Sequence, residues 1–320
     1  MHTNEELLYK AARLYYLENM TQSDISKELN LSRPKVSRLL AKAREEGIVN
    51  IQINVPEQVN IHELEDRIKK TYAIQDVLVV PSQGNDTVAN LEYTVYQSVP
   101  FFQKLLKDGD KIGVAWGYTL LKLAENLEDT AMPSSSILQI AGNLDNADTN
   151  NFANEIIRHF SQKLGVKSLN TLPCPVMVEN PIIVDLLLHD SKISKIIDEI
   201  NHVDVAFPNI GVLGEENCLW RTGYISTEKL QQLQRDGSVG CICCHFVDTK
   251  GNIVDPSLDK RTIAIKLETL RNARHSCACI AGEDKVLPLI GGLRAGLINV
   301  LAIDSNTAEL LLSYESYGDV

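Results

Sequence analysis

The amino-acid sequence predicts an α/β protein in two parts, an all-α helix-turn-helix domain over residues 1–55 and a doubly wound, Rossmann-like domain over residues 56–320. Three observations carry this. Helical apolar spacing in the first sixty residues is punctuated by two cap signals and one short turn. The stretch Val55-Pro56-Glu57-Gln58 breaks all periodicity. From residue 77 onward, short apolar runs alternate with helical segments, several across glycine-containing loops.

With 44% hydrophobic and 23% charged residues, the chain falls among ordinary water-soluble globular proteins. No apolar run reaches bilayer length, and residues 1–16 lack the basic stretch and apolar core of a secretory signal. The expected address is therefore the cytoplasm, with no membrane partner and the seven cysteines reduced. The net charge of −11 is unevenly spread. Residues 1–60 carry eight Lys/Arg and eight acids, so the whole negative excess belongs to the remainder. Residues 33–44 hold five bases and no acid. A small basic patch on an otherwise acidic chain suits contact with a polyanion through one limited surface.

Taken in order, Leu7, Leu8, Ala11, Ala12, Leu14 and Tyr15 recur at helical spacing and define a first amphipathic helix. Thr21 then caps a second helix, answered three residues on by Asp24, with Ile25 and Leu29 on its buried face. Asn30-Leu31-Ser32 makes a tight turn, Ser32 supplies the next N-cap, and Pro34 falls in a first turn where its missing N–H costs nothing. In the helix from Arg33, Val36, Leu39, Leu40 and Ala43 share one face while Lys35, Arg38 and Lys42 project from the other, with Ser37 on the flank. Two helices joined by a short turn, the second basic on its free face, are what insertion into the major groove of double-stranded DNA requires. The expected DNA contacts are Thr21, Gln22, Ser32, Arg33, Lys35, Ser37, Arg38 and Lys42. Gly47 ends the helix, and residues 48–53 alternate like a short strand leading out of the domain.

Beyond the break, Ile61, Leu64, Ile68 and Tyr72 form one apolar stripe on a charged helix. That stripe fits a dimerisation helix or the first helix of the next domain packed on its own sheet. Buried strands are expected at Val77–Val80, Ile112–Ala115, Ile137–Ile140, Val203–Ala206, Cys277–Ile280 and Val300–Ile303. Ligands of such sheets bind beyond the C-terminal strand ends. Trp116-Gly117-Tyr118-Thr119 follows a strand and opens a helix, so backbone N–H groups and the Thr119 hydroxyl can face an anion there. Gly142-Asn143 and Gly282 stand in similar positions, with Lys285 in reach as a point charge for phosphate.

Cys241-Ile242-Cys243-Cys244-His245, with Cys277 and Cys279, invites a metal or redox reading. On a strand, however, Cys241 and Cys243 point to one face and Cys244 to the other, and no C-x-x-C knuckle is present. Buried, reduced cysteines and no metal or other cofactor are expected.

In order along the chain, Leu14-Tyr15-Tyr16, Met20-Thr21-Gln22, Ser32 through Leu40, Gly47-Ile48-Val49, Gly109 through Thr119, Arg221-Thr222-Gly223-Tyr224, Gly237 through Gly240, Arg261-Thr262-Ile263 and Ala281 through Lys285 resemble the SorC family of bacterial sugar-responsive regulators. The likeness spans nearly the whole chain and, within the family, looks most like the branch of the Bacillus deoxyribonucleoside regulator. It implies an effector domain of phosphosugar-isomerase type, a phosphorylated sugar or polyol as effector, and a homo-oligomer, dimer or tetramer. It also implies Tyr224, Cys241 and Arg261 as effector contacts beside Trp116, Gly117, Tyr118, Thr119, Gly142, Asn143, Gly282 and Lys285. Three positions depart from the pattern. Gly240-Cys241 replaces a glycine followed by an acid, Ala141 stands where the deoxyribose-phosphate branch places a Schiff-base lysine, and Gly282-Glu283 replaces a Gly-Gly pair.

The function expected is that of a ligand-switched transcriptional regulator, in the first place a repressor of a carbohydrate or polyol catabolic operon, with no catalytic residues. A thiol- or metal-responsive regulator is the alternative. An isomerase-type enzyme using carboxylates such as Asp204 or Asp259 is disfavoured by the fused DNA-binding head.

Overall fold

In the computed structural model, which describes residues 4–49, 57–84, 86–144 and 152–316, the chain divides into two compact units, Met1–Pro56 and Glu57–Val320. The first contains α1 (Asn4–Tyr16), α2 (Gln22–Glu28) and α3 (Arg33–Glu45). Leu8, Ala11, Ala12 and Leu14 from α1 meet Ile25 from α2 and Val36, Leu39, Leu40 and Ala43 from α3 in one small core. The Thr21 side chain accepts from the Asp24 N–H at 3.3 Å and donates to its carboxylate at 2.6 Å, so the expected cap is in place. Ser32 differs: it occupies the N-cap of α3 but forms no side-chain cap bond, leaving Pro34 to preset the first turn. Asn30, at φ +52°, makes the turn between α2 and α3, a left-handed conformation that asparagine tolerates. Gly47 closes α3 at φ +74°. Of the strand expected over 48–53, Ile48 and Val49 lie in a bend, and residues 50–53 fall outside the described ones.

The second unit opens with α4 (Glu57–Tyr72) and continues through β1 (Asp76–Val80), α5 (Thr87–Gln103), β2 (Lys111–Val114), α6 (Tyr118–Asn126), β3 (Ser136–Gln139), α7 (Ala153–Leu164) and β4 (Ser168–Asn170). After α8 (Pro181–His189) and α9 (Ser191–Ile200) come β5 (Val205–Phe207), β6 (Ile210–Val212), α10 (Cys218–Arg221), α11 (Thr227–Arg235), β7 (Gly240–Ile242) and β8 (His245–Val247). The chain ends through α12 (Pro256–Asp259), α13 (Leu267–Asn272), β9 (His275–Ile280), α14 (Val286–Arg294), β10 (Val300–Asp304) and α15 (Ser305–Ser316).

Seven strands form one parallel sheet in the order β1-β10-β9-β5-β2-β3-β4. Apart from the exposed edge strand β4, its strands are buried nearly throughout, which is why they read as continuous apolar runs rather than alternating ones. The larger core takes in residues from both faces of β3 and β5, and in it Phe207 meets Phe102 edge-on and Phe160 at a tilt, with 5.5–5.8 Å between ring centroids. The other core resolves the question raised by the apolar stripe. Leu64, Ile68 and Tyr72 of α4 are buried there with Val77 and Val79 of β1 and Leu311 and Leu312 of α15, so α4 packs on its own sheet.

A second sheet, antiparallel and ordered β6-β7-β8, was not expected from the sequence. It corrects the reading of Cys241–Cys244 as one strand. Cys243 and Cys244 are the two central residues of the β7–β8 hairpin turn, with φ of +47° and +67°. Positive φ at both positions is the type I′ turn, usually supplied by Asn-Gly. Here two buried cysteines adopt it, at a cost of about 1–2 kcal/mol each.

Candidate effector cavity and DNA-binding face

The sheet changes direction between β2 and β5: the chain runs outward through β3 and β4, then returns to the other side of β2. A crevice must open at the C-terminal ends of strands at such a point. A cavity of about 390 Å³ lies there, beyond the ends of the neighbouring strands β9, β5 and β2. From β2 come Trp116, Gly117, Tyr118 and Thr119; from β5, Pro208 and Asn209; from β9, Ala281 and Lys285.

Gly117 caps α6 at φ +129°, a conformation that only glycine adopts freely. The first bond of the helix's own ladder runs from the Leu121 N–H to the Gly117 carbonyl at 3.0 Å. The N–H groups of Tyr118, Thr119 and Leu120 therefore precede that ladder, at the positive end of the helix dipole. Opposite, Lys285 is half-buried and its Nζ donates to the Ile210 carbonyl at 3.1 Å. That contact holds the amine at the wall with protons to spare. Arg221 adds a second base, 3.7 Å from Glu216, both well exposed. The Tyr118 hydroxyl donates to Glu92, and this bond is the main reason its pKa is raised. Trp116 is 2% exposed and donates through Nε1 to the Gly142 carbonyl at 3.0 Å, forming the cavity floor.

Of the residues expected from the sequence, Trp116, Gly117, Tyr118, Thr119 and Lys285 thus meet in one cavity. The others do not. Gly142 donates its N–H to the Ile263 carbonyl at 2.9 Å, and an added Cβ would stand 2.6 Å from the Pro175 backbone. It is a close-packing glycine, not an anion cradle, and no helix follows it directly. Asn143 is likewise consumed: its N–H bonds the Cys174 carbonyl, Nδ2 the Leu172 carbonyl, and Oδ1 accepts from Gln139. The Gly282 N–H is given to Thr307 Oγ1 at 2.8 Å and is not free for a phosphate. Cys241 is buried behind the wall, Tyr224 packs half-buried against the core, and Arg261 reaches the Glu179 carbonyl at 3.3 Å.

Sequence reasoning missed Asn209, Asn217, Glu216 and Cys218, all in the cavity wall. The signal it followed was glycine after a strand, whereas β5 leaves through Pro208-Asn209. The carboxylates considered for acid–base chemistry lie elsewhere. Asp204 accepts from the Lys111 N–H at 2.9 Å at the N-terminal strand ends, the opposite edge of the sheet. Asp259 is 2.5 Å from His245 Nδ1, whose Nε2 meets the Ile265 carbonyl at 3.0 Å.

All seven cysteines are unpaired, and six are buried. Desolvation pushes Cys218 and Cys243 up to about 12, and Cys241 is raised despite the opposing pull of Lys285. Such thiols stay protonated at neutral pH and are poor nucleophiles. Among the described residues no group of three metal-ligating side chains converges.

In the first unit, Arg33, Lys35, Ser37 and Arg38 are exposed on α3, and Lys42 pairs with Glu46 at 3.3 Å. Lys35, Arg38 and Lys42 border one shallow depression with Ser32 and Pro34, while Val36 and Leu40 on the opposite face are buried. Thr21 and Gln22 sit at the start of α2, where the Thr21 hydroxyl is already engaged in the cap.

Comparison with known proteins bears on both units. Residues 57–313 match a family described as "Putative sugar-binding domain", and residues 18–50 match a winged helix-turn-helix DNA-binding family. The chain is 31% identical to the deoxyribonucleoside regulator of Bacillus subtilis (strain 168), over 97% of its own length and 98% of that protein. It is 30% identical to the sorbitol operon regulator of Klebsiella pneumoniae, over 96% and 97%. The crystal structure of the full-length Klebsiella pneumoniae sorbitol operon regulator SorC superposes with a TM-score of 0.73 at 29% identity, covering 98% of this chain and 100% of that one. Among the described residues no helix is long and apolar enough to cross a membrane.

Proposed function

The chain belongs to the SorC family of sugar-binding transcriptional regulators, and on that premise we propose that it represses a carbohydrate or polyol catabolic operon until a phosphorylated sugar or polyol occupies the cavity. The observation that carries this is the meeting of Lys285 with the first-turn N–H groups of α6 around one space at the switch point of the sheet. A phosphate placed there takes charge-assisted hydrogen bonds from Lys285 Nζ and from the Tyr118 and Thr119 N–H groups, with the Thr119 hydroxyl beside them. The printed names of the relatives, a deoxyribonucleoside regulator and a sorbitol operon regulator, support a carbohydrate or polyol as the body of the ligand. With Ala141 where an imine would need an amine, capture is non-covalent.

On the DNA side, α3 enters the major groove with Lys35, Arg38 and Lys42 toward phosphates and base edges, and Arg33 and Ser37 on its flanks. One such helix contacts only a few base pairs, so specificity in a genome requires two half-sites and at least a dimer of this chain. A thiol-responsive switch is opposed by the burial of the cysteines, which keeps them protonated.

A thermal-shift screen of sugar and polyol phosphates tests the reading, paired with anisotropy of labelled operator DNA. A ligand at a hundred times its Kd stabilises the effector unit by about 2.7 kcal/mol and raises Tm. The same ligand is expected to release the operator. If every sugar phosphate leaves both the melting and the DNA affinity where they were, the reading is wrong.

A further inference from the structure

Two asparagines border the cavity, in opposite conditions. Asn217 is saturated. Its Oδ1 accepts from the Leu219 N–H at 3.0 Å, and its Nδ2 donates to the Val212 carbonyl at 2.8 Å and faces Cys241 Sγ at 3.8 Å. It ties the end of β6 to the start of α10 and has nothing left for a ligand. Asn209 is the reverse. Its backbone carbonyl is fixed by the Cys243 N–H at 3.0 Å, which anchors the residue against the β7–β8 turn. Its side-chain Oδ1, however, is buried from solvent and has no hydrogen-bond partner. No hydrogen bond from Nδ2 is formed among the described residues either.

A buried carbonyl oxygen without a partner costs free energy that an apolar atom in its place would not, so it calls for an explanation. Of the side-chain atoms buried without a partner among the described residues, Asn209 Oδ1 alone belongs to a residue lining the cavity. Asn209 leaves β5, the middle one of the three strands beneath the cavity, and its neighbour Ile210 receives the Lys285 amine. The terminal torsion of asparagine is broad, so the amide turns toward the cavity without leaving a rotamer well.

We propose that Asn209 reads a hydroxyl group of the effector. This rests on the sugar-phosphate reading of the cavity and adds to it a residue that selects the ligand's body rather than its charge. A hydroxyl both donates and accepts, so a single ligand oxygen satisfies the amide whichever of its two atoms is presented. The ligand class is then a phosphate ester whose carbon chain bears a hydroxyl within reach of the β5 exit. A deoxygenated analogue at that carbon leaves the amide as unsatisfied as before, and is discriminated against for that reason.

The test uses the full chain and its Asn209→Leu variant, which keeps the branched shape, adds some volume and removes the amide. Calorimetry is run with inorganic phosphate, glucose 6-phosphate, ribose 5-phosphate, sorbitol 6-phosphate and monodeoxy analogues of the two sugar phosphates. The ligand-free variant is expected to melt at or above the parent, because an orphaned polar group has gone. Its affinity for the hydroxylated ligands that the parent binds falls about tenfold or more, while its affinity for inorganic phosphate is unchanged. Asn209→Ala gives the same readout should leucine overpack the wall. Sugar phosphates bound equally by parent and variants overturn this inference and leave the reading of the cavity standing. A loss shared equally by inorganic phosphate places Asn209 at the charged end and also overturns it. If the parent binds none of the phosphate esters, the reading of the cavity fails, and the inference falls with it.

Discussion

The two units carry their sites in opposite ways. In the first, the candidate functional groups are long side chains on the outside of α3, a helix whose other face is the core. In the second, they are mostly backbone groups and short side chains gathered from β2, β5 and β9, which are neighbours in space and far apart in the chain. An exposed cationic stripe works through long-range attraction that salt screens, and it tolerates some movement. A cavity works at hydrogen-bond distance, and it tolerates almost none. On the proposed function, the difference teaches that one chain can divide affinity for a polyanion from selectivity for a small ligand by placing them on surfaces of opposite curvature.

Four measurements break or sharpen this contrast. The largest effect is expected from Ile25→Ala. Ile25 is fully buried in a core to which, among the described residues, nine buried side chains contribute, and the truncation costs about 2–5 kcal/mol. Operator binding should vanish while ligand-induced stabilisation of the effector unit persists; loss of both would show that the units do not fold independently. Next, Lys285→Ala removes a charge-assisted bond of about 1.5–3 kcal/mol, so a phosphorylated ligand weakens roughly ten- to a hundredfold while its unphosphorylated analogue hardly changes. Titration calorimetry with a matched pair decides it, and an unchanged preference would remove Lys285 from the phosphate end.

A somewhat smaller effect is expected from Arg38→Ala and Lys35→Ala taken singly, about 1–3 kcal/mol for a base contact. A phosphate contact instead lowers the salt slope of operator binding by about one. Wild-type affinity across a salt series in both variants would move the interface off this face of α3.

The smallest concerns acid. Desolvation works against the Asp255 carboxylate, but Lys229, the Ser257 hydroxyl and the Leu258 N–H outweigh it and hold Asp255 well below the usual range. A carboxyl lowered in the folded state stabilises it fully above the unfolded pKa of about 3.9, and the contribution is lost as pH falls from there toward the folded value. Asp255→Asn should therefore cost about 1 kcal/mol near neutrality and flatten the acid side of the stability profile below about pH 5. Parallel profiles for parent and variant would contradict the assignment.

How far the sequence disclosed each unit follows the same contrast. The face of α3 was legible because helical period, cap and charge all lie within thirteen consecutive residues. The parallel sheet was legible because strands buried on both faces leave uninterrupted apolar runs. Half of the cavity was legible too, through Gly117 after β2 and Lys285 after β9. Asn209 was not, because its importance comes from the partners it lacks, and a sequence does not show partners. Gly142 misled for a related reason: glycine after a strand marks close packing as readily as an anion site, and only the Pro175 backbone at 2.6 Å distinguishes them. The hairpin tip at Cys243-Cys244 escaped notice because its residues are not those that turn geometry favours.

The placement of β1 beside β10 bears on when each unit comes into being. The contacts of α1, α2 and α3 close within the first fifty residues, whereas β1 at Asp76–Val80 pairs, among the described strands, with β10 alone and so waits until Val300–Asp304 arrives. Pairing of such low locality is slow to nucleate, and domains form from the N-terminus as synthesis proceeds. The DNA-binding head can therefore fold on the ribosome while the sensing sheet still waits for its central strands, and a chain truncated before β10 would keep the head and leave α4 and β1 without the strand on which they pack. Prematurely ended translation would then yield a species able to search DNA and unable to answer a ligand.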